Sequence, residues 1–285
     1  MEWTNHDHIF CEGKILGQPE YLNVVSSLFI TFFGLLKLFR PTRPTSPTSP
    51  TRPTSPTRPT SPLNKIKSSN ILSKLLSSLF VITGIGSAMF HWFGSFGFAL
   101  LDEFPMIIIV FISLIYIEEL IYKLDTDKII YKSNQSIKLN QLYLSLTNSD
   151  IFNVKIIGYL FTMVFFLILN TLKAHRRSFP YYFGIIITFL FYRVFALKIH
   201  YDSIIGNKQT NSKYLSNSLI KGIGILIVSS IVWSITELGC DNLNTNIFMK
   251  TLLLIGHPLW HFLSPFGFYI LLGGINKLKE QIDIN

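Results

Sequence analysis

Apolar residues in this chain fall into seven long runs, at about 21–39, 70–92, 104–122, 151–172, 180–200, 216–238 and 250–275. A helix needs about 20 apolar residues to cross about 30 Å of hydrocarbon, and each run approaches or exceeds that length. Lipid offers no water to a free N–H or C=O, so each run is predicted to be helical. The pattern predicts an all-α fold, a seven-transmembrane helix bundle. The fifth run contains Arg193, and the last contains His257, Pro258, His261 and Pro265. These two fit the apolar pattern least well.

The polar stretches between the runs are of different kinds. Residues 1–20 have no apolar segment behind a basic start, so no cleavable signal is expected and the first run inserts itself. Residues 41–62 repeat Pro-Thr-Arg/Ser with a period of three. Proline at that spacing excludes a helix interior and favours solvated polyproline II. The segment reads as a low-complexity insertion in the first loop of a single domain spanning residues 1–285. Residues 123–150 form a second long hydrophilic loop.

Composition agrees with a membrane protein. The chain is 49% hydrophobic and 14% charged, against about 25% charged for soluble domains. The net charge of +9 then reads as topology rather than as affinity for nucleic acid. Seven spans put the termini on opposite sides. The side of the C-terminus carries most of the loop Lys and Arg, including Arg40, Lys65, Lys67, Lys123, Lys128, Lys132, Lys138, Lys208, Lys213, Lys277 and Lys279. The other side carries Lys14, Lys173, Arg176, Arg177 and, at its margin, Lys250. The excess survives removal of the arginines in the repeat. It predicts a cytosolic C-terminus and a lumenal N-terminus, in the endoplasmic reticulum, the Golgi or another secretory membrane. Cys11 and Cys240, the two cysteines, both fall on the lumenal side, where thiols oxidise. A disulfide between them and two free buried thiols are the alternatives.

One stretch breaks the apolar pattern with chemistry. "GIGSAMFHWFGSFGFALLDEF", residues 84–104, presents Ser87, His91, Asp102 and Glu103. Ser87 and His91 are four residues apart and share one helix face. Asp102 and Glu103 open the next span from the same side. In "HPLWH", His257 and His261 also lie one turn apart, near the same side of the membrane. Two histidines at that spacing are a weak metal signal; a third at the same depth strengthens it. Three histidines with an open fourth position form the ligand pattern of a catalytic zinc site, where the pKa of water falls from 15.7 to about 7. Asp102 suits a general base and Ser87 an oxyanion donor. A Ser-His-Asp triad is the rival reading, but it gives His257 and His261 no task.

Together, Ser87-x3-His91, Asp102-Glu103-Phe104-Pro105-Met106 and His257-x2-Trp260-His261 resemble the alkaline ceramidases. These belong to a superfamily of seven-span hydrolases that includes the adiponectin and progestin receptors. "FCE" at Phe10–Glu12 and "EYLN" at Glu20–Asn23 resemble the family's acidic segment before span one. "VWSITELGC" resembles its span-six pattern, with Thr236 at the family's Asp position and Glu237 one residue later. Phe10 stands where the family has Trp. The resemblance implies zinc held by His91, His257 and His261, with Asp102 as base and Ser87 as oxyanion partner. It also implies calcium near Asp7, Glu12, Glu20 and Asn23, and a Cys11–Cys240 disulfide. The implied reaction is hydrolysis of the amide of ceramide, a lipid substrate, to a sphingoid base and a fatty acid.

Two alternatives remain at this level. One is a receptor-like member of the superfamily; the other is a polytopic transporter, against which the spans show no internal repeat. Several other polar residues carry structural expectations. Asn170 is expected to face the bundle interior. Arg193 is expected to snorkel or pair with Asp202. Glu118 and Glu119 are expected at a solvated helix end. Glu103 receives no task.

Overall fold

The computed structural model describes residues 10–39, 62–133, 139–172, 178–205, 210–240 and 247–284. Asp7 and the Pro-Thr-Arg/Ser repeat, apart from Pro62, lie outside the described residues. Eight helices are described: α1 (Cys11–Leu16), α2 (Tyr21–Phe39), α3 (Pro62–Phe93), α4 (Phe96–Ser133), α5 (Leu139–Thr171), α6 (Phe179–Ile205), α7 (Thr210–Gly239) and α8 (Ile247–Ile284). No strand occurs among the described residues. Helices α2 to α8 each hold a stretch long and apolar enough to cross a membrane.

The helices outrun the predicted spans. α4 begins at Phe96 rather than near residue 104, so Asp102 and Glu103 lie in its second turn. The stretch between the second and third apolar runs, 93–103, reduces to a turn at Gly94–Ser95 between α3 and α4. Pro105 is tolerated ten residues into α4. Most of 123–150 is also helix, because α4 continues to Ser133 and α5 starts at Leu139. Hydropathy reports where lipid ends, and a helix whose N–H and C=O groups bond internally can continue into water. α8 runs unbroken through Pro258 and Pro265.

The principal core is built on α4, whose Ile107, Val110, Leu114, Ile117 and Leu120 are all nearly sealed from the surface. Leu190, Val194 and Leu197 of α6 and Leu271, Leu272 and Ile275 of α8 complete it. α5 is peripheral and turns Ile157, Phe161 and Phe165 outward. That suits lipid contact rather than water contact.

Glycines permit two close approaches that position the site. A Cβ on Gly86 would lie 2.5 Å from the carbonyl carbon of Leu101, so α3 meets α4 beside Ser87 and Asp102. A Cβ on Gly256 would lie 2.0 Å from Thr236 Cγ2, so α7 meets α8 beside His257. Cys11 and Cys240 are joined by a disulfide with Cα atoms 5.5 Å apart. It ties α1 to the end of α7. The alternative of two free thiols is therefore set aside.

Two structural expectations are corrected. Arg193 pairs with Glu118, Nε to Oε1 at 2.5 Å, while Asp202 pairs with Lys198, one turn away on the same helix. Glu118 is not at a solvated end: it is 2% exposed and also takes the Tyr159 hydroxyl at 3.0 Å. α4 continues past it by four turns, and α5 and α6 cover it. Charges at this depth are costly unless paired, and Glu118 and Arg193 satisfy each other. Asn170 does face the interior, fully buried.

Candidate metal centre and active site

Three imidazoles from two helices converge at one end of the bundle. His91 lies two residues before the end of α3, and His257 and His261 share a face of α8. All three are buried. Each offers a ring nitrogen, and these nitrogens lie within 4.8 Å of one another. His257 Nε2 and His261 Nε2 are 3.2 Å apart. The ring centroids of His91 and His257 are 5.1 Å apart, and those of His91 and His261 are 5.2 Å apart.

The opposite edge of each ring is anchored. His91 Nδ1 lies 2.5 Å from Glu20 Oε2. His257 Nδ1 lies 3.2 Å from Glu237 Oε1 and 3.0 Å from Trp233 Nε1. His261 Nδ1 lies 2.8 Å from Ser26 Oγ. The Glu20 carboxylate on His91 Nδ1 fixes the proton there and turns the Nε2 lone pair of that ring toward a metal. The Nε2 of His91 is sealed from solvent and has no hydrogen-bond partner. A buried ring nitrogen without a partner is costly, and a metal ion at the point of convergence would relieve it. The three residues therefore fit a metal ion with histidine ligands.

Supporting groups come from the N-terminal segment. Glu12 accepts the N–H groups of Leu22 at 2.7 Å and Asn23 at 2.9 Å, so its carboxylate caps the start of α2. Glu20 takes the Asn23 side-chain amide at 3.1 Å as well as His91. Burial raises the pKa of the Glu20 carboxyl, but the hydrogen bond and charge of His91, with the Asn23 amide, outweigh it. Glu20 is held below the usual carboxylate range. The expected calcium residues Glu12, Glu20 and Asn23 thus sit together at the head of α2, with both carboxylates engaged by N–H donors and an imidazole. The Phe10 ring packs 5.0 Å from His91 and 4.3 Å from His257, covering the centre.

Ser87 stands one turn before His91, fully buried. Its Oγ lies 3.1 Å from Ser27 Oγ, whose own O–H donates to the Asn23 carbonyl at 2.7 Å, and 3.4 Å from His261 Nε2. Asp102 is buried, and its Oδ1 has no partner. It shares the wall of a cavity of about 420 Å³ with Glu103, His257, Trp233 and Trp260. Most other residues of that wall are aromatic or aliphatic, from α6 and α7. The cavity offers apolar room for chains beside a small set of polar groups.

Sequence reading placed His91, His257, His261, Ser87 and Asp102 in one neighbourhood. It missed Ser26 and Ser27, which carry no spacing signal relative to His261. It left Glu237 without a role, and the structure sets that carboxylate against His257. Its displacement by one residue from the family pattern was the available signal. Its reading of Glu20 as a cation ligand did not include the contact with His91.

A multi-span helical membrane protein with a buried three-histidine centre, opening on a mostly apolar cavity, is the class that this fold and site define. A family model described as Ceramidase matches residues 10–283, nearly the whole chain, and the protein belongs to the ceramidase family. No curated protein matches the chain. The family match favours the hydrolase expectation over the receptor and transporter alternatives.

Proposed function

We propose that the protein is a zinc-dependent ceramidase that cleaves the amide of ceramide to a sphingoid base and a fatty acid. The observation that carries this reading is the set of three anchored imidazoles, with the unpartnered Nε2 of His91 among them, beside a cavity that also holds Asp102. His91, His257 and His261 would hold the ion. When bound, zinc supplies Lewis-acid polarisation of a carbonyl and a water of lowered pKa.

The chain's own residues do the rest. Glu20, Glu237 and Ser26 orient the imidazoles. Asp102 takes a proton from the attacking water as its oxygen bonds to the amide carbon. Ser87, hydrogen-bonded to Asp102, turns its O–H to the developing oxyanion as Asp102 takes up the proton. Asp102 then returns the proton to the amide nitrogen as the C–N bond breaks. The products are a carboxylic acid and the free amine of the sphingoid base. The apolar wall from α6 and α7 accommodates lipid chains while the amide reaches the centre. The charge bias of the loops supports a lumenal centre and a cytosolic C-terminus.

Incubation of purified protein with ceramide in mixed micelles tests this reading. Fatty acid and sphingoid base should appear in equal amounts, and Asp102→Asn should lower the rate by about 10²- to 10⁴-fold. Full activity in Asp102→Asn would remove the base assignment. No release from any ceramide by zinc-loaded wild type would remove the function.

A further inference from the structure

Glu103 has no part in the reaction proposed above, yet it is the residue that follows Asp102, and it lines the same cavity. Asn170 Nδ2 of α5 donates to Glu103 Oε2 at 2.7 Å. The Tyr182 hydroxyl of α6 donates to Asn170 Oδ1, also at 2.7 Å. Three helices thus meet in one relay. Its outer members are built in: Asn170 is fully buried and Tyr182 is 7% exposed. Phe166 stacks on the Tyr182 ring at 5.1 Å, and Phe179 meets it edge-on at 5.5 Å.

The direction of the relay matters. With Oδ1 of Asn170 accepting from tyrosine, the other end of that amide presents N–H groups to Glu103. Glu103 is therefore held as an acceptor through one oxygen. Its second oxygen, Oε1, accepts no hydrogen bond from any described residue. Two of the three hydroxyl side chains on the cavity wall are already engaged as donors. Thr188 donates to Gly184 O at 2.8 Å and Ser230 to Leu226 O at 2.9 Å, each on its own helix. That oxygen opens on the cavity, where water can satisfy it, and a molecule that displaces the water must supply a donor in its place.

Asp102 and Glu103 differ by about 100° around α4. Both line the same cavity, so a substrate whose amide reached Asp102 would bring an adjacent part of its head to Glu103. In ceramide that neighbouring part carries hydroxyl groups on the sphingoid base. We propose that Glu103 accepts a hydrogen bond from a sphingoid-base hydroxyl and so forms a head-group subsite, with Asn170 and Tyr182 as positioning residues. This rests on the ceramidase reading. It makes Glu103 a determinant of substrate choice rather than of bond cleavage.

The test compares ceramide with 1-deoxyceramide and 3-deoxyceramide, using full-length protein in micelles. Wild type should favour ceramide over at least one deoxy analogue by about 10- to 100-fold in kcat/KM, the range for an acceptor left without its donor away from water. Glu103→Ala should lower kcat/KM for ceramide and bring that preference to within about threefold. Tyr182→Phe should reduce the preference partway, which a merely structural loss would not do because it would slow all substrates alike. Glu103→Gln, which keeps an acceptor for Asn170, decides the matter if the alanine variant does not fold: it should narrow the preference. A wild type without preference would overturn the subsite, as would a Glu103 variant that keeps the full preference. Failure of wild type to cleave ceramide at all would instead remove the function on which the subsite rests.

Discussion

Glu20 and His91, 71 residues apart in sequence, are joined twice: Glu20 Oε2 lies 2.5 Å from His91 Nδ1, and the Glu20 N–H donates to the His91 carbonyl at 3.1 Å. Both side chains are 1% exposed. The start of α2 is thereby fastened to the end of α3, and one imidazole is fixed in tautomer and aim. Glu12 caps the same end of α2, and its neighbour Cys11 is bonded to Cys240. The N-terminal segment thus acts as a brace for the three-histidine site.

Glu20→Gln should therefore weaken metal binding without removing a ligand. Loss of an outer partner of a metal-bound histidine costs about 10- to 100-fold in affinity. Chelator competition on the purified variant measures it. Affinity equal to that of wild type would show that His91 does not need this carboxylate.

Cys11→Ser should lower stability, since removing a native disulfide typically costs about 2–5 kcal/mol. Thermal unfolding in detergent reads the effect. Reductant should shift wild type toward the variant and leave the variant unmoved. A reductant-sensitive variant would contradict the assignment of the disulfide.

Gly86→Ala places a methyl where Leu101 backbone atoms lie 2.5 and 2.6 Å away. α3 and α4 would have to part, at a cost of about 1–3 kcal/mol. Ser87 and Asp102 flank this contact, so ceramide turnover should fall further than at a lipid-facing site such as Phe161→Ala. Unchanged turnover and unfolding temperature would show that the two helices yield freely there.

Glu118→Ala leaves Arg193 without its carboxylate inside the bundle. Breaking a buried pair costs about 3–5 kcal/mol. The double change Glu118→Leu with Arg193→Met should regain much of that loss. Chemical unfolding of the three proteins decides it; equal stability of wild type and Glu118→Ala would mean that the pair contributes nothing.

The seven spans were legible because hydropathy and lipid together leave the backbone few options. Helix ends were not legible: Phe96 starts α4 well before the apolar run becomes continuous, because a two-residue turn suffices between α3 and α4. His91, His257 and His261 could be grouped because span direction places all three at one end. The partners of their outer nitrogens could not be assigned. Ser26 reaches His261 across the α2–α8 contact, and Glu237 reaches His257 across the α7–α8 contact. Both depend on helix rotation, which periodicity leaves loose in a chain with apolar residues on every face. The pairing of Glu118 with Arg193 was hidden for the same reason.

The central claim is that three histidines hold the metal on which amide cleavage depends. Metal content and ceramide hydrolysis, measured together on purified wild type and on His91→Ala, His257→Ala and His261→Ala, test it most directly. The account predicts one zinc per wild-type chain with release of fatty acid, and loss of both in each folded variant. Variants that keep a full zinc and cleave ceramide at the wild-type rate would contradict it.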